Sequence, residues 1–212
     1  MAATSTTAGY PAKRRRTRRR LLRAGASRLA AHGLPGISAG GIAADAGVAA
    51  GTFYNHFPTV DDFVAALAQD VGRGIEIGQA TLAEIENDPA ARVAIGALQL
   101  LRMAEADPVE ASAFVSLVAT LPEFRARVRT LVQDAIVDGV TNDCFDVHAG
   151  HAPTDAILGA VLQSMRSIIL GEATYAEAAT IVRLLLRLLG VPHDKVDAIT
   201  ARATAVATEQ DP

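Results

Sequence analysis

The chain contains no tryptophan, one cysteine and only 4% aromatic residues over 212 positions. The lone cysteine, Cys144, excludes an intrachain disulfide. No apolar run approaches the ~18–20 residues that cross a bilayer. The basic stretch near the N-terminus has no apolar segment behind it, as a secretory signal would. A cytoplasmic protein with no membrane partner is expected. Nowhere do β-branched and aromatic residues alternate with polar ones over the length of a strand, which argues for an all-α fold. Lysine is scarce as well, with two against 18 arginines.

Catalytic constellations are also missing. Gly36-Ile37-Ser38-Ala39-Gly40 spells the G-x-S-x-G of a hydrolase nucleophile elbow, but that elbow needs a strand before it and a helix after it. Here a helix and a turn precede it, and Ser38 reads as a helix cap. With no acid/base or nucleophile set elsewhere, no enzymatic activity and no cofactor are expected. Asp143, Cys144, Asp146, His148 and His151 form a loop cluster of ligand-type side chains. The Cys-x3-His-x2-His spacing lacks an evident fourth ligand, so no metal is assigned.

Half of the residues are hydrophobic, enough for a large core in one domain or in a small domain followed by a larger one. The net charge of -3 conceals a split. Residues 1–58 carry nine bases and one acid, Asp45, for a net of +8, whereas residues 59–212 carry 11 bases and 22 acids, for a net of -11. A polyanion-binding end attached to a body that repels polyanions fits this asymmetry.

Punctuation along the chain sets the elements. Residues 1–12 are small and polar and read as a disordered arm. A first helix is expected from Thr17 to Ala31, stopped by Gly33. Ser38 caps a second over Ala39–Ala46, which Gly47 ends. A short third covers Ala50–Phe57, and Pro58 ends it. Thr59 with Asp61 and Asp62 opens a fourth that reaches the Gly72–Gly78 region. Asp88-Pro89 and Asp107-Pro108 each read as a cap followed by proline at the first helical position. Pro122 begins a long helix to about Val140, and residues 148–153 are loop. Thr154–Leu170 and Thr174–Leu189 are two strong helices, followed by a weaker one over Asp194–Thr208.

The stretch Ala39–Phe57 is the densest in information. Two short helices around a tight turn, beside Lys13-Arg14-Arg15-Arg16-Thr17-Arg18-Arg19-Arg20, form a DNA-binding device. On a wheel of about 100° per residue, Ala50, Phe53 and Phe57 of the third helix face inward. Gly51 and Asn55 point outward, flanked by Thr52, Tyr54 and His56. Asn55 is suited to a bidentate bond with adenine, and Thr52 to a base or a thymine methyl. Tyr54 and His56 suit backbone oxygens, and Gly51 permits close approach. Arg14, Arg15 and Arg16 can follow phosphates or enter a minor groove, and Arg18, Arg19 and Arg20 on the first turn can hold phosphates. With Ser38, these are the candidate DNA contacts.

Gly47-Val48-Ala49-Ala50-Gly51-Thr52-Phe53-Tyr54-Asn55-His56-Phe57 closely resembles the recognition segment of the TetR family of transcriptional repressors. Ile42-Ala43-Ala44-Asp45-Ala46-Gly47 is similar to that family's second helix, and Arg20-Leu21-Leu22-Arg23-Ala24 with Leu29 and His32-Gly33 to its first. The sequence departs from the family at Ala49, where a capping serine is usual, at Ala50, and at Val60, where a phosphate-contacting lysine usually stands. Gly40-Gly41 replaces polar residues, each glycine costing about 1 kcal/mol against alanine.

The resemblance implies three helices of a helix-turn-helix domain, over residues 13–60, followed by a larger helical ligand-binding and dimerisation domain, over 61–212. The run Ile181–Leu189 is apolar on nearly all sides except Arg183 and Arg187. Such a helix needs burial on most faces, which points to a homodimer formed through Ile157, Val161, Met165, Ile181, Leu185 and Leu188. The inducer pocket that the resemblance implies is expected among Gln99, Arg102, Met103, Phe114, Ser116, Leu117, Phe145, Gln163 and Arg166. Few aromatics are available there, which favours an aliphatic ligand of modest size. The expected function is a regulator, a repressor released from a palindromic operator by a small molecule. The alternative is a DNA-binding regulator without such a pocket, constitutive or controlled by a protein partner.

Overall fold

The computed structural model describes residues 9–209. Among the described residues there are ten α-helices, two short 3-10 turns and no strand, so the fold is all-α. The chain divides into two compact units, one ending at Val71 and the other beginning at Gly72. The division falls inside the fourth helix.

The first unit holds α1 (Gly9–His32), a 3-10 turn (Leu34–Gly36), α2 (Ala39–Asp45), α3 (Ala50–Tyr54) and the start of α4 (Val60–Ile85). Helix α1 begins at Gly9, not Thr17, so the arginine run lies on a helix rather than on an arm ahead of one. The reason is local: arginine and alanine are strong helix formers, and Pro11 falls in the first turn, where its missing N–H costs nothing. Residues 1–8 of the expected arm lie outside the described residues.

The core of this unit is aromatic. Phe53, Phe57 and Phe63 are each at most 2% exposed, with ring centroids 5.6, 5.4 and 4.9 Å apart. Leu21, Leu22, Leu29 and Ile42 complete it. Gly25 of α1 lies directly under Phe63, where a Cβ would fall 2.2 Å from the ring. Arg28 ties the turn to α2, its Nε donating to the Gly36 carbonyl at 3.0 Å and its Nη1 pairing with Asp45 at 2.9 Å. Ser38 caps α2 by accepting from the Gly41 amide at 3.3 Å, and Gly47 leaves the helix in the left-handed region at φ 62°. Helix α3 ends at Tyr54, not Phe57, and Ala50 at its start is exposed. Phe57 reaches the core from the turn that follows.

Helix α4 starts from a reciprocal cap. The Asp62 amide donates to Thr59 Oγ1 at 3.0 Å, and the Thr59 amide donates to Asp62 Oδ2 at 3.1 Å. It then runs through Gly72, Gly74 and Gly78 to Ile85, beyond the glycines that predict its end. Gly72 takes Phe124 against its backbone, with a Cβ position only 3.1 Å from that ring, and tertiary packing overrides the propensity loss.

The second unit is arranged around α5 (Pro89–Ala106), which touches α6 (Pro108–Thr120), α7 (Pro122–Thr141), α8 (His151–Ile169), α9 (Ala178–Leu188) and α10 (His193–Glu209). Its buried residues include Ala90, Ala91, Ala94, Gly96, Ala97 and Ala104. Small side chains let helices approach closely from several sides. The two Asp-Pro starts form as expected: Asp88 accepts from the Ala90 amide at 2.9 Å and Asp107 from the Glu110 amide at 3.0 Å. Helix α8 begins at His151, three residues before Thr154. The helix expected from Thr174 opens instead as a 3-10 turn, Tyr175–Glu177, before α9.

The glycines of the first unit separate by surroundings. Gly25→Ala is expected to destabilise by about 1–3 kcal/mol through overpacking on Phe63. Gly40, whose Cβ would meet nothing within 4 Å, is expected to stabilise by about 0.5–1 kcal/mol on conversion to alanine. Urea unfolding of the two variants checks both signs.

Candidate nucleic-acid interface and helical cavity

One surface of the first unit carries the exposed polar side chains of α3. Gly51 and Asn55 are exposed, Tyr54 is 56% exposed, and Thr52 and His56 are half-buried. Phe53 anchors the segment from beneath, with Tyr54 edge-on to it at 5.4 Å. Ala49 at the N-cap makes no side-chain cap bond, so α3 is held by packing. A Cβ on Gly51 would meet nothing within 4 Å. The protein's own packing therefore gives no reason for this glycine.

The helical arginines divide into two sets. Arg20 donates to the carbonyl of Ala46 at the end of α2. The Arg18 guanidinium lies 4.6 Å from the centre of the Phe57 ring, a cation–π contact. Arg14, Arg15, Arg16 and Arg19 are exposed and make no hydrogen bond or ion pair among the described residues. Arg14, Arg15 and Arg18 line a cleft of about 600 Å³ with His56, Phe57, Pro58, Asp62 and Ala66. Burial, then the charges of Arg14 and Arg18, push the His56 imidazole below its ordinary pKa.

In the second unit a cavity of about 310 Å³ opens between helices. Its walls are stripes at helical spacing: Val93, Gly96, Ala97 and Leu100 of α5; Val128, Leu131, Val132 and Ala135 of α7; Ile157, Leu158 and Val161 of α8. Ile75 and Phe114 add apolar surface, and Arg92, Asp134 and Asp138 are its charged members.

Residues 21–67 match the family model described as bacterial regulatory proteins, tetR family. The N-terminal unit belongs to the TetR family. Its α2 and α3 are thus the helix-turn-helix of a DNA-binding regulator. No curated protein matches the chain. Among solved structures, a gamma-butyrolactone receptor (ArpA-like protein) aligns with a TM-score of 0.72 at 19% identity, over 93% of this chain and 100% of that one. CprB from S. coelicolor A3(2), a TetR family protein, aligns at 0.67 and 19%, over 92% and 100%. RolR in complex with resorcinol aligns at 0.60 and 20%, over 91% and 96%. The likeness of fold therefore extends through the second unit.

Within this TetR-family frame, the candidate DNA contacts sort by surroundings. Gly51, Thr52 and Tyr54 lie on α3, Asn55 caps its end and His56 follows in the turn, all five exposed or half-buried. Arg14, Arg15, Arg16 and Arg19 are exposed with no hydrogen bond or ion pair among the described residues, whereas Arg20 and Ser38 have bonds within the fold. The ligand candidates are dispersed. Phe114 lines the cavity, and Gln163 and Arg166 line a separate groove with Arg125, Arg129 and Asp155. Leu117 is core, Phe145 lies on Gly139, and Arg102 faces the Tyr175 ring at 5.7 Å. Gln99, Met103 and Ser116 do not line the cavity. The apolar stripes on α5, α7 and α8 are the sequence signal that points to it. In the Cys/His loop, Cys144 donates to the Asn142 carbonyl at 3.4 Å and His151 Nδ1 meets Arg129 at 2.9 Å. Burial chiefly, with Asp88 next, raises the Cys144 thiol. No metal-holding group of His, Cys, Asp or Glu occurs among the described residues.

The dimer candidates also separate. Ile157, Val161, Met165 and Leu185 are at most 5% exposed within the single chain, because α8 and α9 turn these residues toward their own unit. The apolar residues left outward on α9 are Leu184 and Leu188, 56% and 43% exposed, with Ile181 half-buried and Leu170 exposed beyond α8.

Arg20→Ala is expected to lower stability by about 1–2 kcal/mol, since it leaves the Ala46 carbonyl without its charged donor. Gly51→Ala should leave stability equal or higher yet weaken DNA binding. An unfolding curve and an anisotropy titration on each variant check these outcomes.

The sign for His56 follows from its depressed pKa. The folded protein favours the neutral ring, so stability from this group is full at neutral pH and declines as acidification passes below its ordinary value of about 6.5. Phosphates near the ring favour the charged form, so binding takes up a proton and DNA affinity should rise as pH falls from about 7 to 5.5. His56→Gln should flatten that dependence when anisotropy is measured across pH.

Proposed function

We propose that the protein is a homodimeric, ligand-responsive repressor. The observation that carries this reading is the cavity of about 310 Å³ in the second unit, inside the roughly 300–1,000 Å³ range of small-molecule sites and in the same chain as a TetR-family DNA-binding unit. The solved relatives include one bound to resorcinol and a gamma-butyrolactone receptor, which supports a small organic effector here.

Each protomer places α3 in the major groove of one half of a palindromic operator, with Asn55 and Thr52 reading bases. Arg14, Arg15, Arg16 and Arg19 neutralise phosphates. A ligand that binds the cavity better in the conformation that does not fit DNA lowers operator affinity by its differential affinity for the two states. Two copies meet through the outward face of α9, where Leu184 and Leu188 expose apolar surface beside α8.

Anisotropy against the DNA flanking the protein's own gene tests the regulator reading. Sequence-selective binding there is expected, falling steeply with salt. Equal affinity for unrelated DNA of the same length would contradict it. Leu184→Glu with Leu188→Glu is expected to yield monomers in sedimentation equilibrium and to remove cooperative binding to the two half-sites. A dimer that survives both substitutions would place the interface elsewhere.

A further inference from the structure

The charges of the cavity restrict what it can hold. Arg92 is committed: its Nη1 donates to the Glu86 carbonyl at 3.0 Å and its Nη2 bonds Asp138. Asp138 also accepts from Asn142 Nδ2 at 2.9 Å. Asp134 lies one helical turn before Asp138 on α7 and lines the same cavity, yet it has no hydrogen bond or ion pair among the described residues. Two carboxylates at i and i+4 repel each other, and the one guanidinium between the walls is paired with the far one. The charged members of the lining therefore sum to one negative charge, carried by the solvent-exposed Asp134 at the edge of walls that are otherwise aliphatic except for Phe114.

A carboxylate or phosphate ligand would face Asp134 directly, and could reach Arg92 only by displacing Asp138 and leaving two carboxylates unpaired. A cation meets the opposite situation. Its charge completes the set, Asp134 accepts its N–H groups, and its hydrocarbon portion covers the stripes of α5, α7 and α8. We propose that the effector is an aliphatic amine or similarly cationic small molecule, with its nitrogen on Asp134 and its apolar part between α5, α7 and α8. This rests on the cavity being the effector site, and it adds the chemical class and the residue that selects it.

The test uses the full-length protein and three probes of matched chain, octylamine, octanoate and octan-1-ol, titrated by calorimetry. Wild type is expected to bind octylamine about fivefold more tightly than octanoate, the size of an ion pair at an exposed carboxylate. Asp134→Asn should remove that preference, and Asp134→Lys should reverse it in favour of octanoate. Asp134 is exposed, so neither change disturbs a core. Val93→Phe, which fills the cavity, should abolish binding of every probe, with helicity by circular dichroism as the check on folding.

A preference for octanoate in wild type, or octylamine binding that ignores position 134, would overturn the cationic class. If Val93→Phe still abolished that binding, the cavity would remain the effector site. Binding that persists in Val93→Phe, or no binding of any probe to wild type, would overturn both the class and the site.

Discussion

The packing of Phe53, Phe57 and Phe63 is the interaction on which the DNA-binding unit depends. Phe53 is the buried side chain of α3, a helix of five residues that has no side-chain cap and is far too short to be stable by itself. Its position relative to α1 and the start of α4 is set by the two neighbouring rings and by Gly25, which lets Phe63 lie against the α1 backbone. The same cluster sets the electrostatics, because Phe57 presents a ring to Arg18 and holds His56 beside the arginines of α1. Loosening these rings would displace Asn55 and Thr52 along with the arginines that lie beside Phe57 and His56.

The arginine run does two kinds of work because it is helical. Arg18 and Arg20 point back at the fold, where a ring and a carbonyl receive them. Arg14, Arg15, Arg16 and Arg19 point to solvent. An extended arm would have left every arginine free. The recognition segment has no lysine or arginine of its own, so on the proposed reading exposed basic residues of α1 supply the affinity for a polyanion, and neutral side chains, which contribute little to salt-dependent binding, supply the selectivity. The second unit follows a comparable rule. The small residues of α5 allow several helices to crowd around it, and where the stripes of α5, α7 and α8 do not quite meet, they leave a cavity.

Much of this was legible in the sequence. Capping residues located the starts of α2, α4, α5 and α6, because Ser38, Thr59, Asp88 and Asp107 act on amides within a few positions of themselves. The fold class followed from the absence of alternating patterns, and the exposure of Gly51, Tyr54 and Asn55 from the helical wheel. Features set by distant partners were not legible. That α4 passes through three glycines depends in part on Phe124, and that Arg20 is structural depends on the end of α2. Ile157, Val161, Met165 and Leu185 are apolar in the way a partner-facing residue would be. Only the packing of α8 and α9 on their own unit shows that these residues are already covered. The cavity escaped for a related reason: its lining is ordinary aliphatic core, whereas the polar chemistry expected of a ligand site sits on residues such as Gln99 and Arg102, outside it.

The division of the α1 arginines into those that hold the fold and those that hold DNA is the central claim. It is tested most directly by replacing Arg14, Arg15, Arg16 and Arg19 together with alanine and measuring operator affinity from low to physiological salt. The log-log slope should fall by about 3–4, at roughly 0.9 for each phosphate no longer neutralised, while the urea midpoint stays at the wild-type value. A slope that does not change, or a midpoint that drops, would contradict the account.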